Sequence, residues 1–594
     1  MRNIMKKTSI LLFPCIVSLF ITIELIRAVS VTSPRYGVES CCVAIVVSLI
    51  WLTAFIIHQV RIIKEKSARF YIECNFIVIT AIASVTGLYL VNAVWGNGYL
   101  SLVPYEQLDN GAQHLDSLFH SSIAESYSRF STPSALINAE RYISYHTFSH
   151  MLIGFLSSVL RMPSFITYNF LYPVIFLPIY VFSCLFGISS AKYYFANKTT
   201  IQLIDVIVVG FFIFGFSSNL DVYGVWKTSY IASEAFCVAN TLAFFSYALT
   251  FICLKKHENT KKIKLYMYIG IPIEIFLISW AKISVGFIFT AGVMYFVFRK
   301  KTKRIAYWIL NVIYLGVFLL SFKLFNGSGG SGDITSQIKW QAFSEYCSGP
   351  LGINGHFIIL SLMTVLFIAI EIYSNRFKWK DFINGKTIWI EAIVILSILA
   401  FLPPLIMRIP GGSAAYFSYV IEIPAMLLLC GHDYLCIENN AKGIIRPLFY
   451  SICVFLCIWT GYHNRPDDPL SYISFTHYSN TSNVLLEIRD LVDGNQKKYT
   501  VYLDEDSFLS YVFDDSRASI YAVPAMTGVG VINATYEDNG KYYSYTGDLV
   551  VDYAVSQTNN GCLSYDDAVN LAKQRGKNYI IHITNNGYEI VALT

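Results

Sequence analysis

The sequence predicts a mainly α-helical, polytopic membrane protein that ends in a small extracytoplasmic α/β domain. Three observations carry that prediction. Hydrophobic residues make up 55% of the 594 positions and charged residues only 14%, more apolar surface than a soluble chain of this length buries in one core. About 13 apolar runs approach the roughly 20 residues that a helix needs to cross a bilayer. After residue 464 the composition changes, and Tyr, Asn, Asp and Gly replace the apolar runs.

The first three runs lie near 8–28, 40–58 and 72–94. The first follows basic residues, as in a signal peptide, but lacks a small-residue cleavage site and reads as an uncleaved span. The next lie near 165–188, 201–217 and 230–254, followed by 265–280 and 282–298, which only the Trp280-Ala281-Lys282 turn separates. The last are near 305–323, 355–373, 388–406, 415–433 and 446–463. Basic connections at 61–69, 255–264, 299–304 and 375–386 fall on one side if the N-terminus is cytoplasmic, as the excess of Lys and Arg in cytoplasmic loops requires. The loops 95–164, 218–229, 324–354 and 407–414 and everything after 464 then face outside. This scheme needs the 14-residue apolar run at 148–161 to lie at the interface rather than to cross. The chain thus divides into two leading spans (1–71), a transmembrane module with its first outside loop at 95–164 (72–463), and the outside domain (464–594).

That domain contains β-prone runs at 499–503 (YTVYL), 518–523 (ASIYAV) and 578–584 (NYIIHIT). A helix is expected over 564–576, where Ser564 is the N-cap, Asp566 and Asp567 fill the first turn and Gly576 ends it. The net charge of +5 gives no reason to expect a nucleic-acid partner. Most of the 13 Cys lie inside apolar runs, so no disulfide framework is expected.

The chemistry concentrates in the first outside loop. Between Asp109 and His150 it carries Asp109, His114, Asp116, His120, Glu125, Arg129, Glu140, Arg141, His146 and His150. Leu115, Leu118, Phe119 and Ile123 recur at helical spacing, which puts Asp116 and His120 on one face. A carboxylate beside an imidazole suits a general base, and Asp116 equally suits the start of a surface helix. His146 and His150 are also four apart. With His114, Asp116 and His120 they form a candidate metal set, or else they sit as amphipathic residues at the headgroup level. Asp109, in the turn sequence LDNG, is a second acid candidate. Lys282 and Arg408 stand at outside ends of spans, where each can hold a phosphate or snorkel to the interface. Asp221 and Lys227 add an outside polar cluster. Glu24, Glu274, Glu391 and Glu422 lie within apolar runs and read as hydrogen-bonding groups of the bundle. The Gly-rich loop 325–337 matches no phosphate-binding motif and suits a mobile cover.

The layout resembles the GT-C glycosyltransferases: a first outside loop with an acid soon after a span, interfacial helices, many further spans and an outside α/β domain. The loop has no Asp-Glu pair and the tail no W-W-D-type signature. The resemblance implies a polyprenyl-phosphate-linked sugar donor, a membrane-lipid setting, a glycan, lipid or protein acceptor, and Asp116, in HLDSLFH, as the essential acid, with Asp109 in reserve. It implies an inverting transfer in which Asp116 orients or deprotonates the acceptor hydroxyl. Lys282 and Arg408 stabilise the leaving phosphate, and His120, His146 and His150 assist, with or without a divalent metal (Mg or Mn). It places the enzyme in the cytoplasmic membrane of a bacterium. Three other readings of the layout are a polymerase or ligase of lipid-linked surface polysaccharide, a transporter or glycan flippase, although no internal repeat of the transporter kind is visible, and a non-catalytic membrane scaffold whose tail binds a partner, against which the acid- and His-rich first loop argues.

Overall fold

The computed structural model describes residues 104–134, 146–198, 233–256, 265–301, 305–325, 388–406, 420–431, 479–504, 506–513, 516–532, 535–538, 541–544 and 564–593, with isolated positions 201, 205, 209, 416 and 417. The expected spans near 8–28, 40–58, 72–94, 355–373 and 446–463, most of that near 201–217, and the Gly-rich loop beyond Phe325 lie outside the described residues. So do Glu24, Asp221, Lys227, Glu140, Arg141 and Arg408.

The loop opens with α1 (Pro104–Asp109), α2 (Leu115–Phe130) and α3 (Phe148–Leu160). In α2 the predicted apolar positions Leu118, Phe119 and Ile123 are buried. His114 caps its start by accepting the Asp116 N–H at 3.1 Å. Two glycines set how closely this layer packs. A Cβ at Gly154 of α3 would meet the Ala124 carbonyl of α2 at 2.4 Å, and one at Gly111, whose φ is +70°, would meet the Val512 carbonyl at 1.7 Å. Only glycine allows these approaches.

Ser164–Ile166 and a π-helical stretch, Thr167–Leu171, lead into α4 (Tyr172–Ala196). The bundle continues with α5 (Glu234–Lys256), α6 (Ile271–Ala281), α7 (Ile283–Lys301), α8 (Ile305–Phe325), α9 (Ile388–Ile406) and α10 (Glu422–Gly431). Each falls on an expected apolar run. Among the described residues, α5 and α8 are long and apolar enough to cross a membrane. The two differ in setting: α5 is almost wholly packed inside the bundle, whereas α8 turns Ile305, Trp308, Ile309, Val312, Leu319 and Leu320 outward. Lys282 is the single extended residue between α6 and α7 (φ −159°, ψ 117°). Its N–H donates to the Ile278 carbonyl at 2.8 Å and its carbonyl accepts from Gly286 at 3.0 Å, so it ends one helix and starts the next. Two of the acids in apolar runs hydrogen-bond within the bundle: Tyr266 Oη donates to Glu274 Oε2 at 2.8 Å, and Arg299 Nε donates to Glu391 Oε2 at 2.8 Å.

The tail contains α11 (Thr481–Val492), α12 (Phe508–Val512), α13 (Ser516–Thr527), α14 (Tyr565–Gln574), a three-stranded sheet and a hairpin. In the sheet, β1 (Tyr499–Leu503) pairs in parallel with β4 (Tyr579–Thr584), which pairs antiparallel with β5 (Gly587–Ala592). The hairpin joins β2 (Thr535–Asp538) to β3 (Lys541–Ser544). Side-chain alternation fixes which face goes where. Val501, Leu503, Ile581 and Ile583 join an apolar core shared with the loop. Tyr502 and Ile580, pointing the other way, pack with Ala568 and Ala572 of α14. The strands at 499–503 and 578–584 and the Ser564-capped helix occur where the sequence places them.

The run 518–523 does not. Read as β-prone, it is part of α13. Ala518, Ile520, Tyr521, Ala522 and Val523 are all buried, and Tyr521 meets Phe119 of α2 edge to face at 5.2 Å. Burial all round, with no solvated face to alternate against, favours a core helix over a half-exposed strand, and this packing overrides strand propensity.

Loop and tail therefore share one core, and two carboxylates tie them. Asp109 accepts from the Ser482 N–H at 2.7 Å and the Ser482 hydroxyl at 2.8 Å, capping the start of α11. Glu125, fully buried, accepts from Arg489 Nη1 of α11 at 2.7 Å, Arg129 Nε at 2.9 Å and the Ser164 N–H at 2.7 Å. Arg129 reaches on to Asp493 at 2.5 Å, and Arg489 Nη1 also donates to the Met526 carbonyl. Burial alone would raise the Glu125 carboxyl. The charges of Arg489 and Arg129, with the hydrogen bonds from Arg129 and Ser164, more than reverse this and hold it below the usual carboxylate range.

Candidate functional site

The site forms where α2, α3, α5 and the α6–α7 turn meet. His120 lies on the second turn of α2 and His150 on the first turn of α3. Gly154 keeps these two helices close enough for His120 Nδ1 and His150 Nε2 to stand 2.8 Å apart. Glu234 begins α5. Its Oε1 lies 3.3 Å from His150 Nε2 and 3.6 Å from His120 Nδ1. Its Oε2 accepts the Tyr168 hydroxyl at 2.8 Å, and the Tyr168 ring lies parallel to that of His120, 6.1 Å away. Tyr168 belongs to the π-helical stretch, whose wider turn re-aims side chains at such sites.

His146, just ahead of α3, accepts from Lys282 Nζ at 3.1 Å. The same ammonium sits 4.1 Å above the Tyr416 ring centroid, and lies close enough to Glu234 to feel its charge. Burial pushes the His146 imidazole well below its usual range, and the Lys282 charge adds to this. Burial likewise takes His150 down to about 3; the His120 and Lys282 charges act in the same sense, and the Glu234 carboxylate opposes them. Both rings are therefore neutral at pH 7: His146 Nε2 uses its lone pair on the Lys282 ammonium, and His150 Nε2 faces His120 Nδ1.

Of the sequence candidates, the structure brings together His120, His146, His150 and Lys282. Asp109 serves as the cap of α11. Asp116 is the second residue of α2, half exposed, with its carboxylate 4.0 Å from His114 Nδ1, one turn ahead of His120 on the same helical face. His114 and Asp116 do not join the group of ligating atoms; His120, His150 and Glu234 form it. Glu234 is the member that sequence reasoning passed over. Its signal was an acid near the edge of an apolar run, on the side where the sequence-based topology also puts Lys282 and the loop.

No family model and no curated protein matches the sequence. Among solved structures the chain is similar to the archaeal oligosaccharyltransferase AglB from Archaeoglobus fulgidus. The form in complex with an inhibitory peptide and a dolichol-phosphate gives a TM-score of 0.42 at 9% identity, over 85% of this chain and 69% of that one. The apo form gives 0.45 at 10% identity over the same shares. The form tethered by a disulfide bond to an acceptor peptide with the NVT sequon gives 0.45 at 11%, over 85% and 68%.

Proposed function

We propose that this chain is an integral membrane glycosyltransferase that moves a sugar or glycan from a polyprenyl-phosphate-linked donor to a glycan, lipid or protein acceptor at the outer face of the membrane. One observation carries the proposal. Ionisable groups from the outside loop, the start of α5 and the α6–α7 turn converge in one cluster at the ends of apolar helices, in which His150, Glu234 and Lys282 are buried and His120 and His146 half-buried. Gathering ionisable groups at a desolvated site costs free energy even when they are paired, and functional sites are where such groups collect. The outward apolar face of α8 supports a lipid setting.

Each residue has a chemical task. Lys282, a partly desolvated cation at a helix start, holds and neutralises the donor phosphate as charge grows on the leaving group. His146 fixes the ammonium through the 3.1 Å hydrogen bond. Asp116 orients the acceptor hydroxyl or takes its proton, and Arg408 adds a second phosphate contact. The donor atoms of His120, His150 and Glu234 are 2.8, 3.3 and 3.6 Å apart. Ligands with bonds of about 2.1 Å to one ion stand about 3.0 Å (octahedral) to 3.4 Å (tetrahedral) apart, so the three fit a divalent cation. When bound, such a cation supplies Lewis-acid stabilisation of a phosphate oxygen. Tyr168 holds Glu234 in the matching orientation.

The test is release of free polyprenyl phosphate from a panel of lipid-linked sugars by reconstituted wild type and Asp116→Asn. Release by wild type, reduced about 10²-fold or more in the variant, is expected. No release from any donor by folded protein overturns the proposal, and undiminished release by Asp116→Asn removes that residue from it.

A further inference from the structure

We infer that the His120–His150–Glu234 site selects a first-row transition-type divalent ion (Mn, Fe, Co or Zn) over Mg and Ca; the inference rests on the reading of this cluster as a cation site. The donor set decides it. Two of the three ligating atoms are imidazole nitrogens. The third is a single carboxylate oxygen, because Glu234 Oε2 is engaged by the Tyr168 hydroxyl at 2.8 Å. Oε1 is buried with no hydrogen-bond donor of its own, and it lies 3.3 and 3.6 Å from the two ring nitrogens. An orphaned carboxylate oxygen faces two imidazole nitrogens that hydrogen-bond to each other at 2.8 Å, and one ion between the three takes the place of that shared proton and gives the carboxylate oxygen its partner.

Charge and hardness both argue against Mg and Ca. Those ions are held by several oxygens, and Mg sheds its water reluctantly. Among the described residues no second carboxylate joins the group. The one carboxylate present also shares the field of the Lys282 ammonium, which lowers the net attraction for any cation bound by charge alone. The remaining source of affinity is imidazole donation, which suits Fe, Co and Zn best, Mn less, and Mg and Ca least. Two histidines with one carboxylate also leave coordination positions for oxygens that the protein does not supply.

The experiment uses the full chain in detergent, with no polyhistidine tag, stripped with a chelator. It is then equilibrated with equimolar Mg, Ca, Mn, Co and Zn and desalted, and its metals are counted by mass spectrometry. The expected result is about one ion per chain drawn from Mn, Co and Zn, lost in His150→Ala. Cobalt(II) added alone gives visible absorption that reports imidazole ligation and is absent in that variant. Tyr168→Phe leaves all three ligands in place and lowers affinity about 10- to 100-fold, so the inference does not depend on His150→Ala folding. Stoichiometric Mg or Ca, no bound ion at all, or a transition ion held equally by His150→Ala overturns it. No donor or acceptor is present, so the outcome is separate from that of the transfer assay. A loaded protein that transfers nothing refutes the proposed function alone, and a metal-free protein that transfers sugar refutes this inference alone.

Discussion

Arg489→Met tests the tie between loop and tail. The guanidinium lost in this variant donates to Glu125 and to the Met526 carbonyl, and both it and Glu125 are buried. Removing one partner of a buried ion pair costs about 3–5 kcal/mol because the other charge stays buried. Arg129 and the Ser164 N–H still serve Glu125, so the low end, about 3 kcal/mol, applies. At about 1.4 kcal/mol per tenfold, the fraction of molecules with α11 detached rises roughly 100-fold. Limited proteolysis in detergent, followed as cleavage between the bundle and residue 479 and beyond, reads that fraction directly. The pH dependence has a definite sign. The Glu125 carboxyl is lowered on folding, so its contribution is present above its unfolded pKa and is lost as pH falls through the lower folded value. Wild type should therefore keep its tail protected below pH 4.5, the carboxyl's unfolded value, and Arg489→Met should lose protection at higher pH than wild type. Equal protection of the two proteins at pH 7 and at pH 4 would mean that the Arg489–Glu125 pair does not hold the tail to the loop.

Three other outcomes follow from the same geometry. Asp109→Ala removes the cap on α11 and should cost about 1 kcal/mol, seen as a lower melting temperature in detergent, with sugar transfer retained once folded. Gly154→Ala forces α2 and α3 apart at the Ala124 carbonyl; it should destabilise by about 1–3 kcal/mol and weaken cation binding, because it separates His120 from His150. Lys282→Met keeps the stem length and loses the charge, so donor affinity should fall at least tenfold while cation binding at His120, His150 and Glu234 is retained. An unchanged donor affinity would remove Lys282 from the phosphate site.

Much of this architecture is written in local pattern. Leu118, Phe119 and Ile123 announce α2 because one buried face recurs at helical spacing. Val501 and Leu503 announce β1 because its two faces meet different partners. Ser564 announces α14 through its cap. The same local logic misreads Ile520 to Val523, where β-prone side chains are buried on every side of a helix. It also cannot see pairings set by the fold. Arg489 and Glu125 are 364 positions apart, and nothing in either segment points to the other. Glu234 acquires its meaning only when α5 starts beside two histidines that lie far upstream. His120, His146, His150 and Lys282 were legible as candidates because imidazoles and a lysine are rare beside apolar runs. That they meet could only come from packing.

Glu234→Gln puts the proposed transfer centre to the test, since it keeps the shape, and with Tyr168 the hydrogen-bonded frame, but removes the charge. Under single-turnover conditions with a donor that wild type cleaves, a loss of at least about 100-fold in the rate of polyprenyl phosphate release is expected, with tail protection unchanged. A folded Glu234→Gln protein that releases polyprenyl phosphate at the wild-type rate would contradict it.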